Sequence, residues 1–139
     1  MTTDPVTPPV SGLLGRYYAG TRFDGAPKLS RADATVSFNW GTGSPGTGVP
    51  ADQFSVRWTG QVTPAYSQTY TFYARTDDGA RLWIDDRLVI DRWTNQAPTE
   101  WSGSVALQAN RPYSIRLEMY ENTGGAVSQL SWSSASQPK

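Results

Sequence analysis

The sequence predicts an all-β domain, an antiparallel β-sandwich with minimal helix. Apolar residues recur at period two in several separate runs, and no 3.6-residue stripe is sustained for three turns. The runs are separated at short intervals by Gly-, Pro-, Asn- and Asp-rich turn signals, the spacing expected of a sandwich or barrel. The 13 Gly, 10 Pro, 6 Trp and 7 Tyr in 139 residues fit the same class, because aromatic side chains suit pleated half-buried surfaces while Gly and Pro supply the turns.

Residues 1–11 form a Thr/Pro tract with no hydrophobic period, which reads as the remnant of an extended interdomain linker. The domain is therefore expected over 12–139. It opens with Gly15-Arg16-Tyr17-Tyr18, followed by a turn signal at Asp24-Gly25-Ala26-Pro27. The stretch from Gly41 to Gly48 lacks the Lys and the following helix of a phosphate-cradling loop and reads as a flexible excursion. Phe54-Ser55-Val56-Arg57-Trp58-Thr59 and Tyr70-Thr71-Phe72-Tyr73-Ala74 alternate as strands with one buried face. Asp77-Asp78-Gly79 is a turn signal. Leu82-Trp83-Ile84 and Leu88-Val89-Ile90 flank Asp85-Asp86-Arg87 as a tight hairpin.

Trp93 and Trp101 bracket a polar, Pro-containing loop from Thr94 to Glu100, whereas Trp40, Trp58, Trp83 and Trp132 fall inside strand patterns and read as core. The last strands are Tyr113 to Met119 and Leu130-Ser131-Trp132, with turns at Ala109 to Pro112 and Asn122-Thr123-Gly124-Gly125. Asp24, Asp33 and Asp91 read as solvated or turn-capping carboxylates.

Composition narrows the chemistry. With no Cys and no His, no thiolate nucleophile, imidazole base, disulfide or His/Cys zinc site can be built. Twelve basic residues balance twelve acidic ones, which argues against an electrostatically driven nucleic-acid partner. No apolar run approaches the ~18 residues of a membrane span. A glycosidase would need two carboxylates on different elements across a cleft, and Asp77 and Asp78 are too close in sequence to divide that work.

The segment from Tyr70 through Asp77-Asp78-Gly79-Ala80-Arg81-Leu82-Trp83-Ile84-Asp85-Asp86 resembles the PA14 domain family, as do Leu88-Val89-Ile90-Asp91-Arg92-Trp93 and the flanking Gly15 to Tyr18, Tyr113 to Glu121 and Leu130 to Trp132 runs. The resemblance covers nearly everything after Gly12. It implies a β-sandwich module of the kind found in glycoside hydrolases, flocculins and adhesins, bacterial surface proteins and a toxin component. In the sugar-binding members two adjacent Asp residues joined by a cis peptide hold a calcium ion that contacts glycan hydroxyls, and that pair falls on Asp77 and Asp78. An Asn of the second binding loop falls on Asn122. The implied metal ligands are thus Asp77, Asp78 and Asn122, with backbone carbonyls from Thr123 to Ala126 available to complete the ~6–8 oxygens calcium takes.

The same residues, with Trp93, Trp101 and Tyr120 as surfaces on which pyranose C–H faces can stack, are the candidate carbohydrate contacts. The flocculin-type disulfides and long inserted loop are missing, so no sugar preference carries over. The reading is a non-catalytic, calcium-dependent carbohydrate-binding module, a monomeric part of a multidomain extracellular protein whose partner is a glycan or polysaccharide, without nucleic acid and without membrane insertion. The alternative is a structural or protein-interaction domain in which Asp77-Asp78-Gly79 is an ordinary Asx turn.

Overall fold

The computed structural model describes residues 13–23, 25–33 and 36–136. The expected linker, residues 1–11, lies outside the described residues, as does Asp24. Ten strands run in chain order: β1 (Leu13–Ala19), β2 (Leu29–Asp33), β3 (Ser37–Gly41), β4 (Phe54–Val62), β5 (Gln68–Asp77), β6 (Ala80–Ile84), β7 (Arg87–Arg92), β8 (Thr99–Leu107), β9 (Tyr113–Glu121) and β10 (Ala126–Ser133). They form two antiparallel sheets, six strands in the order β2-β1-β4-β9-β6-β7 and four in the order β3-β10-β5-β8. The expected sandwich is present, and no helix occurs among the described residues.

Period two decides which side chains meet between the sheets. Phe54, Val56, Trp58 and Val62 of β4 are buried, as are Tyr70, Phe72 and Ala74 of β5 and Tyr113, Ile115, Leu117 and Met119 of β9. Each Val, Leu, Ile, Phe or Met among them stabilises the fold by roughly 1.5–3 kcal/mol relative to exposure. Trp58 and Trp132 belong to this core, and Trp40 packs against it half-buried.

Trp83 does not. On β6 the inward positions are Ala80, Leu82 and Ile84, so Trp83 faces outward with Arg81, and the Arg116 guanidinium lies 4.1 Å over its ring. The run Leu82-Trp83-Ile84 is apolar on both faces, which hides its inside from its outside in the sequence.

Asp33 also departs from expectation. It is buried, and its Oδ2 accepts hydrogen bonds from the Tyr17 hydroxyl at 2.6 Å and the Trp58 indole at 2.8 Å, while Oδ1 accepts from Arg31 Nε at 2.7 Å. Gly15 makes room for this knot: a Cβ there would stand 2.7 Å from Asp33 Oδ2 and 2.9 Å from Trp58 Nε1.

The β6–β7 hairpin closes as expected, with Asp85 at φ 52 and Asp86 at φ 64. Two left-handed residues in succession match the twist of a tight hairpin, and Asp tolerates that region better than most residues.

Candidate metal site and adjoining cleft

Two crossovers between the sheets meet at one end of the sandwich. Asp78 and Gly79 carry the chain from β5 in the small sheet to β6 in the large one, and residues 122–125 carry it from β9 in the large sheet back to β10. The registers bring them side by side, since Ala80 pairs with Met119 and Asp77 pairs with Val127. Asp78 N donates to Tyr120 O at 2.8 Å, and Tyr120 N to Gly79 O at 3.2 Å, so the ladder continues into the crossover.

The Asp77–Asp78 peptide is cis. One carboxylate oxygen from each of Asp77, Asp78 and Glu121 lie within 4.8 Å of one another, and all three residues are buried. The Asp78 carboxylate is fixed from both sides, Oδ1 accepting the Gln96 amide at 2.9 Å and Oδ2 the Asn122 amide at 2.7 Å. Glu121 is fully buried and neither of its oxygens has a hydrogen-bond partner. Burial first, then the charges of Asp78 and Asp77, push its carboxyl up to about 9. Burial followed by the Asp78 charge raises Asp77 to about 6.

Held charged, a buried carboxylate without a donor costs several kcal/mol, so Glu121 stays protonated at neutral pH unless a cation shared with two neighbouring carboxylates offsets that cost. The donor set is all hard oxygen, the chemistry of calcium or magnesium rather than of a soft metal. The three residues offer one carboxylate oxygen each that could hold a metal ion.

Sequence reasoning missed Glu121, although the signal was there. The core-facing series Tyr113, Ile115, Leu117, Met119 continues at period two onto position 121, and a carboxylate on a core-facing position asks for a partner. Gly79, which the sequence offered only as part of a turn signal, is crowded. A Cβ there would stand 2.5 Å from the Tyr120 ring, 2.8 Å from Thr94 N and 2.9 Å from Arg92 O, so glycine is needed for close approach.

Tyr120 and Asn122, the neighbours of Glu121 in the chain, line a cleft of about 270 Å³ together with Thr21, Arg22, Trp93 and Asn95. Trp93 and Tyr120 rest against each other at 4.8 Å between centroids, and the Tyr120 hydroxyl donates to Asn95 Oδ1 at 2.8 Å. Asn122 stands at the rim, its side-chain Oδ1 accepting from Gln53 Nε2 at 3.5 Å. Trp101 lies outside this lining. In β8 it pairs with Ala74 of β5, and its indole donates to Gln96 Oε1 at 3.0 Å, bracing the residue whose backbone holds Asp78. Asp85 sits at the other end of β6, in an exposed pair with Arg111 at 3.4 Å.

Comparisons with known proteins agree with this architecture. The chain is 46% identical over 129 residues to the anti-sigma-I factor RsgI3 of Acetivibrio thermocellus, an alignment covering 93% of this chain and 20% of that protein. It superposes with a TM-score of 0.86 and 45% identity on a solved anti-sigma factor domain-containing protein from Clostridium clariflavum, covering 91% of this chain and 42% of the other. The PA14 sugar-binding domain from RTX adhesin shares the fold, with a TM-score of 0.66, 19% identity and coverage of 90% of each chain. The chain thus spans less than half the length of these anti-sigma relatives. The family model described as PA14 domain matches residues 9–139. With that match across the two sheets and the crossover end they share, the chain belongs to the PA14 domain family.

Proposed function

We propose that the domain is a non-catalytic carbohydrate-binding module that contacts glycan hydroxyls through a calcium ion held by Asp77, Asp78 and Glu121, with Asn122 at the rim. The observation that carries this reading is the unpartnered, fully buried carboxylate of Glu121 beside the Asp77–Asp78 pair, between two residues, Tyr120 and Asn122, that line a cleft. The RTX adhesin neighbour, described as a sugar-binding domain, supports the same class of ligand.

When bound, calcium supplies a Lewis-acidic centre to which vicinal sugar hydroxyls can turn. The chain's own residues do the rest. Asp78 is immobilised by two backbone amides before any ligand arrives, which spares ordering entropy on binding. Trp93 and Tyr120 offer apolar surface to pyranose C–H groups, and Asn95 and Asn122 offer amide groups to hydroxyls. Trp101 acts from behind the loop through Gln96.

The module belongs to a larger extracellular or cell-surface protein, where it keeps its parent near polysaccharide and raises the effective concentration of the attached domains. The test is an oligosaccharide array run with calcium and again with chelator, together with calcium titration by calorimetry. Calcium-dependent array binding supports the module. Absence of calcium binding by calorimetry removes the metal, and calcium binding with no glycan on the array leaves the protein-interaction reading.

A further inference from the structure

On the outer face of the six-stranded sheet, next to the cleft, one buried carboxylate holds two arginines. Glu118 is 3% exposed; its Oε2 accepts from Arg57 Nε at 2.7 Å and its Oε1 from Arg81 Nη2 at 3.0 Å. The registers Arg57 to Glu118 and Glu118 to Arg81 set the three side chains in one row across β4, β9 and β6. Each guanidinium lies against an aromatic ring, Arg57 at 4.4 Å from the Phe23 centroid and Arg81 at 3.8 Å from that of Trp93. Trp93 lines the cleft, and Phe23 packs against it. Phe23 and Trp93 are 5.9 Å apart, and Trp93 in turn meets Tyr120 at 4.8 Å.

Arginine is suited to this arrangement and lysine is not, because the planar guanidinium can donate to a carboxylate through its edge while its face covers a ring. One face of Trp93 is therefore committed to Arg81. A tryptophan at the rim of an open cleft has rotamer freedom to lose on binding, and a side chain already held loses less.

We propose that Glu118 is a positioning residue for the saccharide cleft. By locking Arg57 and Arg81 against Phe23 and Trp93 it sets the tilt of the aromatic wall, so that sugar affinity depends on a carboxylate touching neither sugar nor metal. The inference rests on the carbohydrate reading above. It separates the two halves of the site, with the Asp77, Asp78 and Glu121 carboxylates governing the ion and the Glu118 row governing the wall.

The experiment compares the full chain with Glu118→Gln and Arg81→Lys by calcium calorimetry, by an oligosaccharide array at saturating calcium, and by near-ultraviolet circular dichroism, with Trp93→Phe marking the contribution of that ring. Calcium affinity is expected to stay within about twofold of wild type while array affinity falls about tenfold, the scale of a lost cation–π contact in a partly desolvated setting. The Trp93 dichroism should shift toward that of Trp93→Phe in both variants. Arg81→Lys keeps a cation for Glu118 and so remains informative if Glu118→Gln does not fold. An unchanged Trp93 signature overturns the proposal, as does a changed signature with undiminished array binding. Wild-type protein that binds no saccharide removes the carbohydrate reading, and the dichroism then still decides whether the Glu118 row holds Trp93.

Discussion

The backbone amide of Asn122 donates a 2.7 Å hydrogen bond to Asp78 Oδ2, tying the crossover after β9 to the crossover after β5. The contribution of Asn122 is thus partly independent of its side chain. Asn122→Ala keeps the amide and should weaken calcium-dependent stabilisation and glycan binding only modestly. Asn122→Pro removes the donor and leaves a buried carboxylate oxygen short of a partner, a loss of about 1.5–3 kcal/mol for a charge-assisted bond. Differential scanning fluorimetry with and without calcium measures both; equal effects of the two substitutions would place the whole contribution in the side chain.

Removing either aspartate should act on the ion more than on the fold. Calcium present at a hundredfold excess over its dissociation constant stabilises a protein by about 2.7 kcal/mol. Asp77→Ala should abolish that gain together with glycan binding while the metal-free protein stays folded, since the cluster sits at the end of the sandwich rather than in its apolar interior. Asp78→Asn is the better probe at the second position, because an amide still offers an oxygen to Gln96 or Asn122. Asp85→Ala, in the exposed hairpin turn at the far end of β6, should leave calcium and glycan binding at wild-type levels. Glycan binding lost in Asp85→Ala but kept in Asp77→Ala would move the site to the hairpin.

Gly79→Ala should damage the cleft without removing a single polar group. The added methyl would meet the Tyr120 ring at 2.5 Å and backbone atoms of Thr94 and Arg92 below 3.0 Å, so the backbone on one side or Tyr120 on the other must move. Overpacking of this kind costs about 1–3 kcal/mol. The expected outcome is a lowered thermal midpoint and lost Tyr120 to Asn95 hydrogen bonding, seen as weakened saccharide affinity. A wild-type midpoint in Gly79→Ala would show that the loop relaxes freely.

The strands that alternate cleanly were legible because their inward residues are apolar and their outward ones are not, as in Phe54 to Thr59 and Tyr113 to Met119. The Asp77–Asp78 pair was legible through family resemblance. Glu121 was readable by carrying the β9 period two residues further, but resemblance drew attention to Asn122 instead. Asp33 was not readable, since its partners Tyr17 and Trp58 lie 16 and 25 residues away and nothing local brings them together. Trp93 and Tyr120 were readable as candidate stacking surfaces, but their meeting with each other and with Phe23 was hidden for the same reason, being assembled from three separate segments.

The Asp33 knot provides a control distant in chemistry from the ion. Three donors converge on one buried carboxylate, so Asp33→Ala takes the acceptor from the Tyr17 hydroxyl and the Trp58 indole, while Arg31 keeps its bonds to Tyr17 and Pro45. Each buried donor left without an acceptor costs about 1–3 kcal/mol, and the partly exposed Arg31 pair adds little. Chemical denaturation should report that loss, with Asp33→Asn less affected. The calcium-induced gain in stability should remain at its wild-type size in Asp33→Asn, and a diminished gain would couple the two ends of β1 and β9 in a way the separate networks do not suggest.

Glu121→Gln distinguishes a metal ligand from a structural carboxylate by the condition in which its effect appears. In a structural role the carboxylate would have donors, and neutralising it would destabilise the protein under every condition. Here both oxygens are buried without a donor, and burial with the Asp78 and Asp77 charges pushes the carboxyl up to about 9, so at neutral pH the metal-free group is already protonated and uncharged. The amide matches that neutral acid in shape and charge, so metal-free Glu121→Gln should stay within about 1 kcal/mol of metal-free wild type. In calcium the variant should fall below wild type, because the wild-type protein gains binding free energy that the variant has largely lost. Thermal unfolding of the two proteins in chelator and in millimolar calcium supplies the four midpoints required. A variant less stable than wild type in both conditions by the same margin would make Glu121 a structural residue and leave only Asp77 and Asp78 to hold the ion.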